Sequence, residues 1–219
     1  MSKKTAIVVG AGIVGMATAR ALAEKGFSVT VFERNEKAVG ASIRNFGMVW
    51  PTGQPLGTLR NRALRSREIW KEAADNSGIW NNPCGSLLNV YHDDELAVIG
   101  EFYAMNKDVH DCKILSAEET IAKSPATNPK GLKASLWSAT ELIVDPREAI
   151  FKLPAYLTKK YGIEFHFNKA VPHVETGKVY SGKNTCEADL IFVCSGEDFE
   201  TLYPETYTAS GITKCKLQM

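Results

Sequence analysis

The sequence predicts an α/β fold built on a parallel sheet, and three observations predict it. The chain opens on an apolar run, Thr5-Ala6-Ile7-Val8-Val9, followed at once by the glycine-rich turn Gly10-Ala11-Gly12-Ile13-Val14-Gly15. A second run, Ser28-Val29-Thr30-Val31-Phe32, comes after a helical interval and ends on Glu33. A third run, Asp189-Leu190-Ile191-Phe192-Val193-Cys194, lies far downstream. Short apolar runs without alternation are the pattern of strands covered on both faces, as parallel sheets require.

Each element can be justified in order. Residues 13–25 repeat Val14, Ala17, Ala21, Leu22 and Lys25 at three- and four-residue steps, which predicts a helix with that side against the sheet. Gly26 ends it. Residues 59–74 predict a second helix, with Leu59, Ala63, Ser66, Trp70 and Ala73 inward. The arginines Arg60, Arg62, Arg65 and Arg67 crowd its other sides, and a solvated face is the stronger reading of them. Residues 86–91 read as a strand, and 94–108 as a helix through Leu96, Ile99 and Tyr103. Ser116-Ala117-Glu118-Glu119 has the form of a capping box, and Pro125 stops the helix it starts. Asp145-Pro146 begins a helix running to about residue 160. Residues 163–167 form a strand. Thr176-Gly177 turns a hairpin between 171–175 and 178–181. The strand 189–194 is expected to be buried, ending at Ser195-Gly196.

Residues 48–140 read as a mixed insertion between two parts of one nucleotide-binding domain. The expected division is 1–50 with 141–200 for that domain, and 51–140 with 201–219 for a substrate domain. The last residues, Lys214-Cys215-Lys216-Leu217-Gln218-Met219, read as the start of a strand. The sequence is therefore expected to be the N-terminal part of a longer polypeptide, truncated at its C-terminal end.

Composition narrows the function classes. The 219 residues carry a formal net charge of +1, which advertises no basic face for nucleic acid or anionic membrane. No apolar run approaches the roughly 20 residues needed to span a bilayer. Met1-Ser2-Lys3-Lys4 leads straight into a strand, without the apolar segment of a signal peptide, so a cytoplasmic location is expected. Five cysteines and four histidines are scattered, without metal-ligand spacing. The cysteines read as reduced, mostly buried thiols, and no metal is expected.

The chemistry lies in the first thirty-four residues. Gly10 permits a tight turn off the strand, Gly12 leaves room for a pyrophosphate beside the backbone, and Gly15 lets the helix approach the sheet. The N–H groups of the helix start, at Ile13 and Val14, face the phosphates with the positive end of the helix dipole. Glu33 stands where its carboxylate accepts hydrogen bonds from ribose hydroxyls and repels a 2′-phosphate. Strand, glycine turn, helix, strand and acid together make this a dinucleotide site. That motif alone does not separate FAD from NAD.

The following segment does. With Glu33-Arg34, Gly40-Ala41-Ser42 and Asn45-Phe46-Gly47, the chain resembles the FAD-dependent amine and amino-acid oxidoreductases of the D-amino-acid oxidase, glycine oxidase and sarcosine oxidase superfamily. The similarity continues through Gly85-Ser86-Leu87-Leu88, Ile143-Val144-Asp145-Pro146-Arg147 and Ala170-Val171 to Cys194-Ser195-Gly196. The stretch from Arg44 to Pro55 is most similar to a bacterial subgroup associated with phosphonate use. The resemblance implies a Rossmann-type FAD domain with an inserted α+β substrate domain. It also implies cofactor contacts at Arg34, Ala41, Ser42, Asn45, Phe46, Gly47, Val171, Cys194, Ser195 and Gly196, besides the glycine turn and Glu33.

The activity so implied is oxidation of a small amine, an amino acid or aminophosphonate. A hydride passes from carbon to flavin N5, and the resulting imine hydrolyses. No paired carboxylates or Ser-His-Asp set are required, and none is evident. Arg44 and Asn45 are the polar residues expected nearest the flavin ring; Arg44 suits the flavin or a carboxylate or phosphonate on the substrate, and a surface or structural arginine is an equal reading. Phe46, Met48 and Trp50 suit a pocket wall, although ordinary core packing is the stronger reading. In the resembled family further substrate contacts come from a C-terminal segment outside these residues. The rivals are an NAD-dependent dehydrogenase and a non-catalytic nucleotide-binding module. The electron acceptor and the oligomeric state are not written in the sequence.

Overall fold

A computed structural model describes residues 3–215. Residues 216–219, part of the expected C-terminal strand, lie outside them. In chain order the elements begin β1 (Thr5–Val9), α1 (Ile13–Glu24), β2 (Ser28–Phe32), a 3₁₀ turn (Ala41–Ile43), β3 (Met48–Val49) and α2 (Thr58–Ser77). Next come β4 (Asn81–Asn82), β5 (Ser86–Val90), α3 (Asp93–Asn106), β6 (Cys112–Ser116), α4 (Ala117–Lys123), β7 (Ala134–Ser138) and β8 (Leu142–Val144). Then follow α5 (Pro146–Tyr161), β9 (Glu164–His166), β10 (His173–Glu175), β11 (Lys178–Ser181), β12 (Asn184–Glu187), β13 (Leu190–Val193) and α6 (Pro204–Ser210).

The chain divides into two compact units. One runs up to Asn45 and resumes at Pro146; the other is Phe46–Asp145. These seams differ from the expected ones at 50 and 141 because β8 pairs with β4 inside the insertion, Ile143 opposite Asn82, and with β3, Ile143 opposite Met48, so both strands go with β4. A pairing of that kind holds both strands in one unit. The segment after residue 200 also falls in the first unit, where Leu202 packs against the core cluster of Ile7, Val9, Phe32, Val171 and Val179.

In the first unit, β13-β1-β2-β9 form a parallel sheet. Residues 5–9 and 28–32 are apolar on both sides because both faces are covered. Ile7, Val9 and Phe32 pack with Val171 and Val179 under the antiparallel sheet β10-β11-β12. Val8 and Val31, fully buried, alternate to the other side, where α1 lies. Burial of each such side chain contributes roughly 1.5–3 kcal/mol. The face of α1 differs from the sequence expectation. Gly15, Met16, Ala19 and Leu22 are buried, while Val14 is 65% exposed and Ala17, Ala21 and Lys25 are exposed too. The reason is Gly15, where a Cβ would run into the carbonyl oxygen of Gly10. That contact sets the rotation of the helix, and apolar periodicity follows it. The expected burial of β13 is also corrected: it is an edge strand of this sheet, half-buried, with Leu190 exposed.

The second unit holds two antiparallel sheets, β3-β8-β4 and β5-β7-β6, with Leu136, Val90 and Cys112 packed against Ile99 of α3. Its capping box is as read, Ser116 Oγ accepting from Glu119 N–H and Glu119 accepting from Ser116 N–H. In α2, Leu59 and Ser66 are exposed rather than inward. Arg60 and Arg67 donate to the carbonyls of Val109 and Thr140, which fixes the helix's phase. Phe46, Met48 and Trp50 do not pack in a core: they are 74%, 54% and 47% exposed, alternating with buried Gly47 and half-buried Val49. Only Cys112 of the five cysteines is buried; Cys84 and Cys215 are exposed.

A polar cluster sits inside this unit. Glu141, His110 and Ser138 are all buried. Arg60 Nη2 lies 3.4 Å from His110 Nδ1, so the guanidinium donates and the imidazole proton sits on Nε2. That nitrogen is 2.8 Å from Thr52 Oγ1 and 3.0 Å from Ser138 Oγ. Burial holds His110 below the usual imidazole range and the Arg60 cation adds to this, against the opposing pull of Glu141 and Asp111.

Two predictions follow from these contacts. Gly15→Ala is expected to lower the thermal midpoint by roughly 5–10 °C through the clash with Gly10. Gly100→Ala, mid-α3 with nothing within 4 Å of its added Cβ, should instead add about 0.5–1 kcal/mol. Equal effects at both positions would refute the close approach. For His110, the folded protein favours the neutral ring, so its contribution is full above the unfolded pKa near 6.5 and is lost as pH falls below it. Melts between pH 7.5 and 5.5 should show a steeper fall in stability for wild type than for His110→Gln; parallel curves would exclude the assignment.

Candidate functional site

The sheet order places a crevice before any residue is considered. From β1 the chain moves to β2 on one side, while β13 pairs with β1 on the other. At such a reversal the loops leaving the two strands diverge, and ligands of open α/β sheets bind outside the carboxyl ends of those strands. The loops in question are Gly10–Gly12 and Cys194–Gly196. They nearly touch: Gly10 has φ of 104°, and a Cβ there would collide with the Cys194 carbonyl oxygen. Gly10 N–H donates to Phe32 O at 2.7 Å and Cys194 N–H to Val9 O at 2.8 Å, tying both loops to the sheet. Ser195 Oγ donates to Asp198 O, and Gly196 takes a left-handed φ of 66°. The Cys194 thiol is pushed up by burial, so it stays protonated and offers no nucleophile.

Helix α1 starts at this turn. Gly12 is its N-cap and supplies no side-chain cap. The cap comes from far along the chain: Ser42 Oγ accepts from Ile13 N–H at 3.0 Å. A Cβ on Gly12 would stand 3.1 Å from that same oxygen. The floor of the turn is thus bare backbone, bordered by one hydroxyl, at the positive end of a three-turn helix. Val14, beside it, is exposed.

Glu33 closes the other end. It is buried, and both its oxygens are in use: Oε2 accepts from Ala11 N–H at 3.0 Å, and Oε1 from Asn35 N–H and Asn35 Nδ2. A carboxylate has about four acceptor positions, so Oε2 keeps one for a further donor. The backbone of Glu33 is held by His166 and Lys169, and Asn35 O accepts from Asn168, the one non-glycine residue with positive φ among those described. Residues 168–171 therefore run beside 33–35. Val171 turns its side chain into the core. Arg34 forms an ion pair with Asp198. Burial alone would raise the Asp198 carboxyl, but Thr201 and Arg34 together hold it below the usual range.

The segment after Gly40 is a 3₁₀ turn. Asn45 Nδ2 donates to Ala41 O and Ser42 O, closing it, and Arg44 is exposed at its end. Gly10, Gly12, Ile13, Val14, Gly15, Glu33, Arg34, Ala41, Ser42, Asn45, Val171 and Cys194–Gly196 all lie in the first unit, whereas Phe46 and Gly47 open the second. Sequence reasoning missed Asn35, Asp198 and Asn168. Asn35 carried a readable signal, a short amide two residues after the acid; Asp198 carried none, since its partner is 164 residues away.

Residues 5–208 match the family described as FAD dependent oxidoreductase, DAO. The chain belongs to that family. It is 26% identical over 212 residues to the tRNA 5-methylaminomethyl-2-thiouridine biosynthesis bifunctional protein MnmC of Campylobacter concisus, covering 92% of this chain and 31% of that protein. It is 24% identical to a D-amino acid dehydrogenase of Helicobacter pylori, covering 89% of this chain and 60% of the relative. In fold it is similar to L-proline dehydrogenase from P.horikoshii, with a TM-score of 0.79 and 24% identity, covering 97% of this chain and 57% of that one. Glycine oxidase from Geobacillus kaustophilus gives a TM-score of 0.77 at 19% identity, with 92% and 58% covered. The chain thus spans between about a third and three fifths of the length of these proteins. The family's cofactor is FAD, which disfavours the NAD-dependent rival. The bare turn, the helix start and the remaining acceptor on Glu33 fit a dinucleotide of that kind. No helix among the described residues is long and apolar enough to cross a membrane.

Gly12→Val is expected to abolish flavin retention while the far-ultraviolet circular dichroism stays that of wild type, because the valine side chain fills space against Ser42. Flavin bound at wild-type stoichiometry in the folded variant would remove the turn from the site.

Proposed function

We propose that this chain is the cofactor-holding part of an enzyme that oxidises a small amine, an amino acid or aminophosphonate. The observation that carries the reading is the crevice at the sheet reversal, bare of side chains at Gly10 and Gly12 and closed by Glu33. Its support for amine chemistry is the substrates named in similar proteins: D-amino acid dehydrogenase, L-proline dehydrogenase and glycine oxidase.

The residues divide the work. The Gly10–Gly15 turn and the α1 N-terminus take the diphosphate, with Val14 N–H at the helix start and Ser42, which caps Ile13 N–H, at its border. Glu33 accepts from the ribose hydroxyls, and its charge excludes a 2′-phosphate. Arg34, held by Asp198, flanks the same end, and the backbone of Val171 contacts adenine. Cys194–Gly196 closes the far side, while Ala41 and Asn45 border the ring. When bound, the flavin would supply a two-electron acceptor for a hydride leaving the amine carbon, and the substrate imine so formed would be hydrolysed by water. Arg44, exposed at the end of the 3₁₀ turn, pairs with a carboxylate or phosphonate of the substrate and orients it.

The test is anaerobic reduction of the flavin-loaded protein by a panel of amines, followed at the flavin absorbance bands. Amino acids or aminophosphonates should bleach it; no reduction by any of them would favour the non-catalytic module. Arg44→Ala should weaken anionic amines by about tenfold or more and neutral amines little. Equal losses on both would take Arg44 out of the substrate site.

A further inference from the structure

The loop after β13 reaches across the end of the parallel sheet. In the order β13-β1-β2, strand β1 is flanked by the other two. Adjacent strands lie about 4.8 Å apart, so the ends of β13 and β2 are separated by roughly 10 Å. The glycine turn leaves β1 in that gap. Arg34, just past the end of β2, nevertheless forms an ion pair with Asp198, in the loop after β13. The pair therefore spans the carboxyl end of β1, between strands that are not themselves paired.

Both ends of this loop are anchored. At its start Cys194 N–H donates to Val9 O at 2.8 Å, and at its end Leu202 packs in the core cluster with Val171 and Val179. Between them Gly196 is exposed, and nothing beyond its chain neighbours lies within 4 Å of where a Cβ would stand. Asp198 holds the middle of the loop from within. Its N–H donates to Ser195 O and its carbonyl accepts from Ser195 Oγ. Its carboxylate accepts from Thr201 N–H at 3.1 Å and from Thr201 Oγ1–H at 2.8 Å.

An exposed ion pair contributes little when two long side chains must be immobilised to make it. Here the acid is already fixed by its own loop and is mostly covered, its side chain 16% exposed against 54% for Arg34. A second contact brings the loop to the segment after β2. The Glu197 carboxylate lies 3.1 Å from the place of a Cβ on Gly40, just ahead of the 3₁₀ turn that carries Ser42. That contact is made against a glycine and needs no charge.

We propose that the Arg34–Asp198 pair is a strap across the end of the crevice that Glu33 closes, with Asp198 as a positioning residue, and that its opening limits release of the dinucleotide. This rests on the dinucleotide reading above. Asp198 acts through Arg34 rather than on the ligand, so the strap sets how long the cofactor stays and not which cofactor enters.

The rate at which FAD leaves the loaded 219-residue chain tests the strap, with free and bound FAD separated at intervals after dilution. Asp198→Asn keeps the acceptors for Thr201 and removes the charge; Arg34→Gln removes the cation. Each should speed release by about three- to tenfold. The double variant should release no faster than the faster single one, because both changes remove one interaction. Effects that multiply, or release at the wild-type rate from Asp198→Asn, would overturn the proposal. Glu197→Gln should stay within about twofold of wild type, and a loss there equal to that of Asp198→Asn would overturn it as well. Raising sodium chloride from about 0.05 to 0.5 M should speed release from wild type more than from either single variant, since screening acts on the pair; equal salt responses would count against it. Arg34→Gln, at an exposed side chain, carries the same comparison if Asp198→Asn does not fold. Hydrogen exchange read by mass spectrometry gives a readout without flavin. Both single variants should speed exchange in peptides covering 196–203 by about threefold or more and leave β1 and β2 unchanged; unchanged exchange there would show that the pair does not hold the loop. If wild type retains no FAD, the dinucleotide reading fails and the strap with it. If wild type retains FAD and Asp198→Asn releases it no faster, the strap alone fails.

Discussion

Two backbone crossings that tolerate no Cβ organise the first unit. Gly15 lies against the Gly10 carbonyl, and Gly10 lies against the Cys194 carbonyl. The first crossing presses α1 onto β1 and fixes its rotation. The second brings the loop after β13 to the loop after β1. Between them they leave a floor of peptide groups at the start of a helix, a surface that suits an anion because its N–H groups and dipole both point outward. Ser42 and Glu33 then occupy N–H groups on either side, at Ile13 and Ala11, so the turn is held in shape by its own polar neighbours.

That constraint explains where sequence reading succeeded and where it did not. Most elements of the first unit were legible because they rest on local chemistry: glycine turns, unbroken apolar runs, and a proline opening α5; the polar strand β12 and the short α6 were not read. The face of α1 was not legible. Apolar spacing favoured Val14, Ala17 and Ala21, but the contact of Gly15 with Gly10 overrode that weak amphipathic signal. Phe46, Met48 and Trp50 misled for a related reason: hydrophobic character predicts burial only when another element covers the side chain, and here only the Val49 side of β3 is covered. Short strands such as β3, β4 and β8 left no usable pattern in two or three residues.

The candidate site divides the same way. The glycine turn and Glu33 were readable because their roles follow from residue type and spacing. The partners that shape them, Asn35, Asp198 and Ser42 as a remote cap, are set by tertiary approach. His110 and Glu141 show the limit most clearly. Nothing in their sequence neighbourhood distinguishes them from surface residues, yet both are buried in one polar cluster assembled from Thr52, Ser86 and Ser138. Such clusters demand full satisfaction of every donor and acceptor, and no side-chain polar atom buried among the described residues lacks a partner.

The pairing of β1 with β13 sets a timetable for synthesis. Ala6 aligns with Leu190 and Val9 with Val193, and Thr5 N–H is bound by Asp189, 184 positions later. At roughly 5–20 residues per second, a ribosome leaves one flank of Ala6–Val9 without its neighbour for on the order of ten to forty seconds. The intervening Phe46–Asp145 unit is contiguous and emerges whole within that interval. Until the late strand arrives, the nascent chain carries an apolar edge that other chains can join, so its yield in a cell depends on how well that edge is shielded while translation continues.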